Sequence, residues 1–319
     1  MRDFDPPRRF HTPDDTSRQT PVELLSGVSN STAQGNEPSN DGTSSIPDFM
    51  ARAIELARQA QGTTSPNPPV GAVLVNRGRI VGEGRTQPPG QAHAEIEALR
   101  QAGNKARGAT LYVTLEPCAH WGRTPPCVNA LVEAGIAATH VAVLDPNRLV
   151  NGKGLRRLQA RGVEIHLGDH AEEAAELIEA HAAFVTTGRP FVTLLIGHPR
   201  DEEPLEQHAD VRLRAMPAGG LLALFGGSPP ANNHILIPEI GSRRDFDDAL
   251  AQLEPGHVTS VLVADSGPSR TSLLSLGLID KVIAPAESLL PPGFAARGRA
   301  WFDDRYITAY PNTNPGLSQ

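Results

Sequence analysis

The chain has 319 residues, of which 39% are hydrophobic and 20% charged, and its formal net charge is −7. This composition is typical of a soluble globular protein with one large or two ordinary domains. The negative charge argues against a sequence-independent nucleic-acid binder, and no apolar run approaches the roughly 20 residues that span a bilayer. We therefore expect no nucleic-acid partner and no membrane anchor. The first 20 residues lack an apolar stretch, so we also expect no secretory or transit signal and a cytoplasmic location.

The N-terminal half predicts a disordered tail followed by a regular domain. Residues 1–45 are rich in Pro, Ser, Thr, Asn, Asp and Gly and show no hydrophobic period, which is typical of disorder. From residue 46 to residue 189, helical and strand patterns alternate. The predicted strands are 70–75, 80–81, 111–115, 140–144 and 163–167, and the predicted helices begin near 49, 92, 128, 155 and 171. This order predicts a three-layer α/β/α domain with a mostly parallel central sheet.

The C-terminal half is less clearly patterned. Gly188, Arg189 and Pro190 mark a boundary, after which the stretch to about residue 220 is polar. Short strands are predicted at 191–196, 221–225, 260–264 and 281–284, with helices near 246–253 and 273–276. We expect a second, smaller α/β domain over 190–302 and an irregular tail over 303–319.

The two cysteines of the chain, Cys118 and Cys127, are separated by eight residues, and His93 and Glu95 lie upstream. Without a signal peptide the cysteines are expected to be reduced, although a disulfide between them is an alternative. A catalytic zinc site takes three protein ligands and leaves one position for water, which His93, Cys118 and Cys127 would provide. His120 as a fourth ligand would instead close a structural site.

The predicted positions of these residues favour the open site. His93 and Cys127 are each expected at the start of a helix, where the positive end of the helix dipole favours thiolates. A zinc-bound water has a pKa of roughly 7, and Glu95 can move its proton to a ring nitrogen and then to a leaving amine. A solvated helix face and a small buried cysteine are the ordinary alternatives for each part alone. Together they predict a zinc-dependent hydrolase that deaminates a nucleobase.

Three motifs carry a resemblance to a known family. The segments 65–71, 93–95 and 114–127, with Asp145-Pro146-Asn147 after them, resemble the deaminase half of the bifunctional riboflavin biosynthesis deaminase/reductase family. The resemblance covers about residues 46–190, and the eight-residue cysteine spacing separates it from cytidine and tRNA deaminases. It implies a cytidine-deaminase-like fold and a diaminohydroxypyrimidine substrate that carries a phosphoribosylamino group. It also implies one zinc ion on His93, Cys118 and Cys127, with Glu95 as the proton shuttle.

The resemblance further implies four substrate-binding residues: Asn67, Ala94, His120 and Arg123. Asn67 would hydrogen-bond the base, and His120 and Arg123 lie in the loop between the cysteines, where a phosphate can be held. An exposed loop charge is the alternative for Arg123. The segment 84–90 departs from the family because it lacks the histidine that usually precedes the His-Ala-Glu motif. A deaminase of another nucleobase or nucleotide therefore stays open.

The C-terminal half departs further from the family. Its strand 191–195 and segment 278–282 resemble reductase elements, whereas 197–201 and 264–266 replace the functional motifs and 226–228 is a weak phosphate-binding candidate. We expect a degenerate, truncated reductase domain that binds no NADPH and serves as a packing or dimerising module. A separate reductase would then perform the next step, and the protein would be a homo-oligomer. The alternatives are a bifunctional deaminase/NADPH reductase and a non-catalytic zinc interaction protein, for which an intact Glu95 would have no use.

Overall fold

The computed structural model describes residues 47–122, 124–147, 150–197, 205, 208–215, 221–225, 234–237, 240–251, 258–264, 268–300 and 303–312. They form two α/β units, each built on its own sheet. The N-terminal unit ends with the helix that precedes residue 190, and the C-terminal unit begins with the strand after it. The predicted disordered tail, 1–45, lies outside the described residues. Within the described ranges, no helix is long and apolar enough to cross a membrane.

The N-terminal unit contains a five-stranded sheet in the order β2-β1-β3-β4-β5. Its elements are α1 Phe49–Arg58, β1 Gly71–Asn76, β2 Arg79–Arg85, α2 Ala94–Ala102, the 3₁₀ turn Gly103–Ala106, β3 Thr110–Leu115, α3 Cys127–Ala134, β4 Ala138–Val143, α4 Lys153–Gln159, β5 Glu164–Leu167 and α5 Ala171–Thr187. The α/β class is confirmed. The sheet itself is mixed rather than mostly parallel: β3, β4 and β5 run parallel, but β1 is antiparallel to both β2 and β3.

Two close backbone approaches show that helices cover both faces of this sheet. A Cβ atom on Gly71 would lie 1.8 Å from the Ala53 carbonyl oxygen of α1, and one on Gly84 would lie 2.1 Å from the Ala94 carbonyl oxygen of α2. Gly84 pairs with Ala72, and successive residues of a strand point to opposite faces, so Gly71 and Gly84 face opposite sides. Helices α1 and α2 therefore form the outer layers of a three-layer unit.

The C-terminal unit contains an eight-stranded sheet in the order β12-β13-β11-β6-β10-β7-β8-β9. Its elements are β6 Phe191–Leu195, β7 Val211–Ala215, β8 Leu221–Phe225, β9 His234–Ile237, α6 Arg243–Ala251, β10 Ser260–Ala264, α7 Pro268–Ser275, β11 Lys281–Pro285, β12 Phe294–Ala300 and β13 Asp303–Pro311. The four central strands β11, β6, β10 and β7 are parallel. The unit is therefore more regular than its weak sequence pattern indicates.

The prediction of an irregular tail over 303–319 is wrong for Asp303–Pro311. This segment forms β13, which pairs antiparallel with β11 on one side and with β12 on the other. It can occupy an interior position because its aromatic and small side chains, including Tyr306, Ala309 and Tyr310, are buried. Residues 313–319 lie outside the described residues.

A buried ion cluster joins the two units. The Lys281 ammonium of β11 donates to Glu176 Oε1 at 2.8 Å and to Glu179 Oε1 at 2.7 Å, both on α5. The Tyr310 hydroxyl of β13 donates to Glu179 Oε2 at 2.9 Å. Since Lys281 and Glu179 are both buried, their charges are compensated across the junction rather than by solvent.

Candidate metal and catalytic site

Three segments of the N-terminal unit meet at one edge of its sheet. The start of β1 lies beside the end of β3, because Ala72 pairs with Val113, and beside the end of β2, because Gly71 pairs with Arg85. The loop before β1, the segment after β2 that leads to His93, and the segment after β3 that leads to Cys118 therefore converge. The Val70 amide donates to Thr86 Oγ1 at 3.1 Å and joins the first two segments.

His93, Cys118 and Cys127 lie together at this edge. Their ligand atoms are all within 4.8 Å of one another, and they are the one group with metal-binding geometry among the residues that the structure describes. His93 Nδ1 lies 3.7 Å from Cys118 Sγ and 3.3 Å from Cys127 Sγ. Tetrahedral zinc, with its usual bond lengths, separates nitrogen and sulfur ligands by about 3.6 Å. The donor atoms and their spacing thus fit a zinc ion.

The two alternatives to an open zinc site are not formed by the described residues. Both cysteines are free, so the disulfide is absent at this position. His120 is exposed and does not belong to the cluster, so it does not provide a fourth ligand. Three protein ligands remain, which is the number found in catalytic zinc sites.

Helix starts and hydrogen bonds hold the ligands. His93 is the N-cap of α2, and its Nε2 lies 3.4 Å from Thr124 Oγ1. Cys127 is the first residue of α3, and its amide donates to Cys118 Sγ at 3.3 Å. Hydrogen bonds from the Cys127 thiol and from His93 lower the pKa of Cys118, whereas the bond to Cys118 and burial raise the pKa of Cys127. Cys118 is therefore the more readily ionised thiol.

Glu95 lies in the first turn of α2, two residues after His93, and is only 4% exposed. Burial, followed by the nearby charge of Cys118, raises the pKa of its carboxyl group to about 7, while His93 and a hydrogen bond with Cys127 act in the opposite direction. A buried carboxyl group next to the metal ligands can both accept and donate a proton. The arrangement therefore combines three candidate metal ligands with one carboxyl group that is able to carry protons.

Glu116 is a structural residue of the site that sequence reasoning did not identify. It precedes Pro117 and Cys118, and its carboxylate accepts backbone amide bonds from Asp145, Gly152 and Gly154 at 3.2, 2.8 and 2.7 Å. A Cβ on Gly154 would lie 2.1 Å from the Pro117 carbonyl oxygen, so that approach requires glycine. The sequence does carry a signal, since Glu116 lies in the segment 114–127, the motif that contains both cysteines. Thr124 was missed in the same way.

The four predicted substrate residues have different surroundings. Asn67 is half-buried in the loop before β1, and its backbone N–H donates to the Thr64 carbonyl at 2.8 Å. Ala94 is fully buried at the start of α2. His120 is exposed in the loop between the cysteines, and Arg123 lies outside the described residues. Their roles toward a substrate remain predictions.

Comparison with known sequences gives one family and several close relatives. Residues 43–143 match the cytidine and deoxycytidylate deaminase zinc-binding region. The riboflavin biosynthesis protein RibD of Aquifex aeolicus is 52% identical over 146 residues, which cover 46% of this chain and 41% of that protein. The diaminohydroxyphosphoribosylamino-pyrimidine deaminase of Buchnera aphidicola subsp. Schizaphis graminum is 44% identical over 142 residues, 44% of this chain and 97% of that protein. The match therefore spans about two fifths of the length of the RibD proteins.

Solved structures resemble a larger part of the chain. RibD of Acinetobacter baumannii has a TM-score of 0.62 and 27% identity, and the alignment covers 82% of this chain and 98% of that one. A Thermotoga maritima structure described as a diaminohydroxyphosphoribosylaminopyrimidine deaminase/5-amino-6-(5-phosphoribosylamino)uracil reductase has a TM-score of 0.65 and 26% identity, with 82% and 97% coverage. The likeness in fold thus extends beyond the N-terminal unit, where the likeness in sequence is concentrated.

Proposed function

Since the chain belongs to the riboflavin-biosynthesis deaminase family, we propose that it removes the ring amine of diaminohydroxyphosphoribosylaminopyrimidine by hydrolysis, with one zinc ion. The observation that carries this proposal is the cluster of His93, Cys118 and Cys127 with the buried carboxyl group of Glu95 beside it. A structural zinc site has no need of that carboxyl group. A nucleobase deaminase needs it to move protons.

His93, Cys118 and Cys127 would hold the zinc ion, which when bound lowers the pKa of a water molecule to roughly 7. The Glu95 carboxylate accepts one proton of the attacking water and passes it to the ring nitrogen beside the amine-bearing carbon. A carbon–oxygen bond forms and the carbon–nitrogen bond to the amine breaks. Glu95 then carries the remaining water proton from the new hydroxyl group to the amine, which departs as ammonia. A ring carbonyl that holds the oxygen of the water has then replaced the amine.

Four residues are proposed to bind the substrate, on the strength of the family resemblance. Asn67 would bind the base, and His120 and Arg123 the phosphate; Ala94 would contact the substrate from the start of α2. The segment 84–90, which lacks the family's histidine, favours a second candidate, a deaminase of another nucleobase or nucleotide. Ammonia release measured across a panel of pyrimidine, purine and pterin substrates would separate the two.

The decisive test uses the purified zinc protein and measures ammonia release from the phosphoribosylamino-pyrimidine. Glu95→Gln is expected to abolish release while the bound zinc, measured by elemental analysis, is retained. Glu97→Gln is the matched control, because Glu97 lies on the same helix and bonds Arg100 on the surface. Release that survives in Glu95→Gln would refute the proton-carrier role. No release from the wild type would refute the substrate.

The C-terminal unit is proposed to have lost reductase activity, and a separate reductase would then act on the product. The support is the sequence, in which 197–201 and 264–266 replace the family's motifs and 226–228 is only a weak phosphate-binding candidate; apart from 197 and 264, these positions lie outside the described residues. A fold alone does not fix chemistry. Oxidation of NADPH by the wild type in the presence of the deaminated product would refute this part of the proposal.

A further inference from the structure

The loop before β1 is hydrogen-bonded to the C-terminal unit. Ser65 Oγ lies 3.0 Å from Thr259 Oγ1, and Thr259 Oγ1 lies 2.9 Å from Asp210 Oδ2. An ionised carboxylate can only accept, and each hydroxyl has one proton to give. The Thr259 proton therefore goes to Asp210, and Ser65 donates to Thr259. The bonds run in one direction from the loop into the C-terminal unit.

Thr259 is held firmly at its end of this chain of bonds. Asp210 Oδ2 also accepts the backbone amides of Thr259 and Ser260, at 2.7 and 3.0 Å. The Thr259 carbonyl accepts the amide of Phe191, the first residue of β6, at 2.8 Å, and the residue is only 5% exposed. The Thr259 hydroxyl is thus a fixed acceptor at the start of β10.

On the other side, the same loop carries the predicted base-binding residue. Ser65 is two residues from Asn67, whose backbone N–H donates to the Thr64 carbonyl and closes a turn. The Pro66 backbone between them lies near the His181 ring of α5. The loop therefore has a turn of its own, between Thr64 and Asn67, and a hydrogen bond at Ser65 that comes from the C-terminal unit.

We propose that Thr259 and Asp210 are positioning residues for the deaminase: they hold the Ser65 loop so that Asn67 is set toward the substrate base before the substrate arrives. The inference rests on the function proposed above and deepens it. It makes the C-terminal unit a part of the deaminase site, whatever its own chemistry. A loop that is already ordered lowers the entropy cost of substrate binding. Loss of that order should therefore raise KM more than it lowers kcat.

The first test is steady-state kinetics of ammonia release by the full chain. Thr259→Val and Ser65→Ala each remove the bond and are expected to raise KM about 3- to 10-fold, the range for one hydrogen bond, with kcat within about twofold. Thr259→Ser keeps the hydroxyl and should restore a wild-type KM. The double variant should show no increase in KM beyond that of Thr259→Val, because Thr259→Val already breaks the bond to Ser65. Ser275→Ala is the control, because the Ser275 hydroxyl donates only to the Ser272 carbonyl of its own helix, α7, in the bond that this change removes.

A second measurement needs no substrate. Amide hydrogen exchange in the peptide that contains Asn67 should be faster in Thr259→Val and Ser65→Ala than in the wild type, and unchanged in Thr259→Ser. An active wild type with unchanged KM and unchanged exchange in Thr259→Val would overturn the positioning role alone. A wild type that releases no ammonia would overturn the proposed function, and the positioning role with it.

Discussion

Among single residues, Thr124 illustrates how a neighbour can set the orientation of a proposed metal ligand, His93. His93 turns Nδ1 toward the two sulfurs, which leaves Nε2 3.4 Å from Thr124 Oγ1. Such partners typically change metal affinity 10- to 100-fold. We expect Thr124→Val to weaken zinc binding about tenfold, as measured by competition with a chromophoric chelator. Thr124→Ser keeps the hydroxyl and should bind zinc as the wild type does. Equal affinity in Thr124→Val would show that the hydroxyl does not orient His93.

Glu116 acts on the same site through the backbone. Its buried carboxylate accepts amides from Asp145, Gly152 and Gly154, so Glu116→Gln would turn an amide donor toward amide donors. We expect that change to lower the free energy of unfolding by about 2–4 kcal/mol, since hydrogen bonds to a buried charge are lost. Urea unfolding measures the difference. Glu133→Gln, at an exposed position, should change stability by less than about 0.5 kcal/mol.

The contrast between the ligands and their supports explains how far the sequence could predict the site. The sequence predicts His93, Cys118, Cys127 and Glu95 as site residues because few residue types bind zinc or carry protons, and their order and spacing restrict the chemistry. Thr124 and the carboxylate of Glu116 act by ordinary hydrogen bonds, which many side chains can make. Their roles become visible only when the fold brings their partners next to them.

Among elements, the start of α1 is predicted to respond to pH. Asp48 Oδ1 accepts the Ala51 amide at 2.9 Å as the N-cap, and Oδ2 lies 2.8 Å from His170 Nε2. The Ala51 bond, followed by His170, lowers the pKa of Asp48. Burial acts to lower the pKa of His170, but Asp48, with help from Glu173, outweighs it and raises that pKa. Both shifts favour the charged pair.

The sign of the pH effect follows from these shifts. The His170 contribution is complete below its unfolded pKa of about 6.5 and is lost as the pH rises through the higher folded value. The Asp48 contribution is complete above its unfolded pKa and is lost as the pH falls through the lower folded value. We therefore expect His170→Asn to destabilise the protein more at pH 5.5 than at pH 8.5 in urea unfolding. Asparagine tolerates the positive φ of this position, 54° in His170. An equal loss at both values would contradict the charged pair.

Elements were predictable from the sequence where their packing is local and periodic. The helices and strands of the N-terminal unit follow apolar patterns of their own, and the sequence located nearly all of them. Strand β12, Phe294–Ala300, is mostly exposed and shows no alternation, so it is a strand only because it pairs with β13. Pairing with a neighbouring strand leaves little trace in the side-chain pattern of a segment taken alone. This is why the C-terminal tail was predicted to be irregular.

At the scale of the whole molecule, the two units share buried charges. Lys281 on β11 is 4% exposed and donates hydrogen bonds to Glu176 and Glu179. The Tyr310 hydroxyl donates to the second carboxylate oxygen of Glu179. Burial acts to lower the pKa of Lys281, yet Glu179 and Glu176 raise it, so the ammonium group stays charged. Neither unit can separate from the other without exposing one half of this cluster. The cluster therefore couples the stability of α5 to that of the C-terminal sheet.

Removing one charged partner of this cluster should lower the free energy of unfolding more than removing two. Lys281→Met is expected to lower the free energy of unfolding by about 3–5 kcal/mol, because Glu179 is left buried without its counter-charge. The double variant Lys281→Met/Glu179→Gln should recover much of that loss, since a neutral amide replaces the stranded charge. Urea unfolding followed by tryptophan fluorescence and circular dichroism measures both.

Arg244→Met, at an exposed ion pair with Asp248, is the control and should have little effect on the free energy of unfolding. If Lys281→Met were as stable as the wild type, the charges would not hold the units together, and the apolar contacts between α5 and β6 would have to do so.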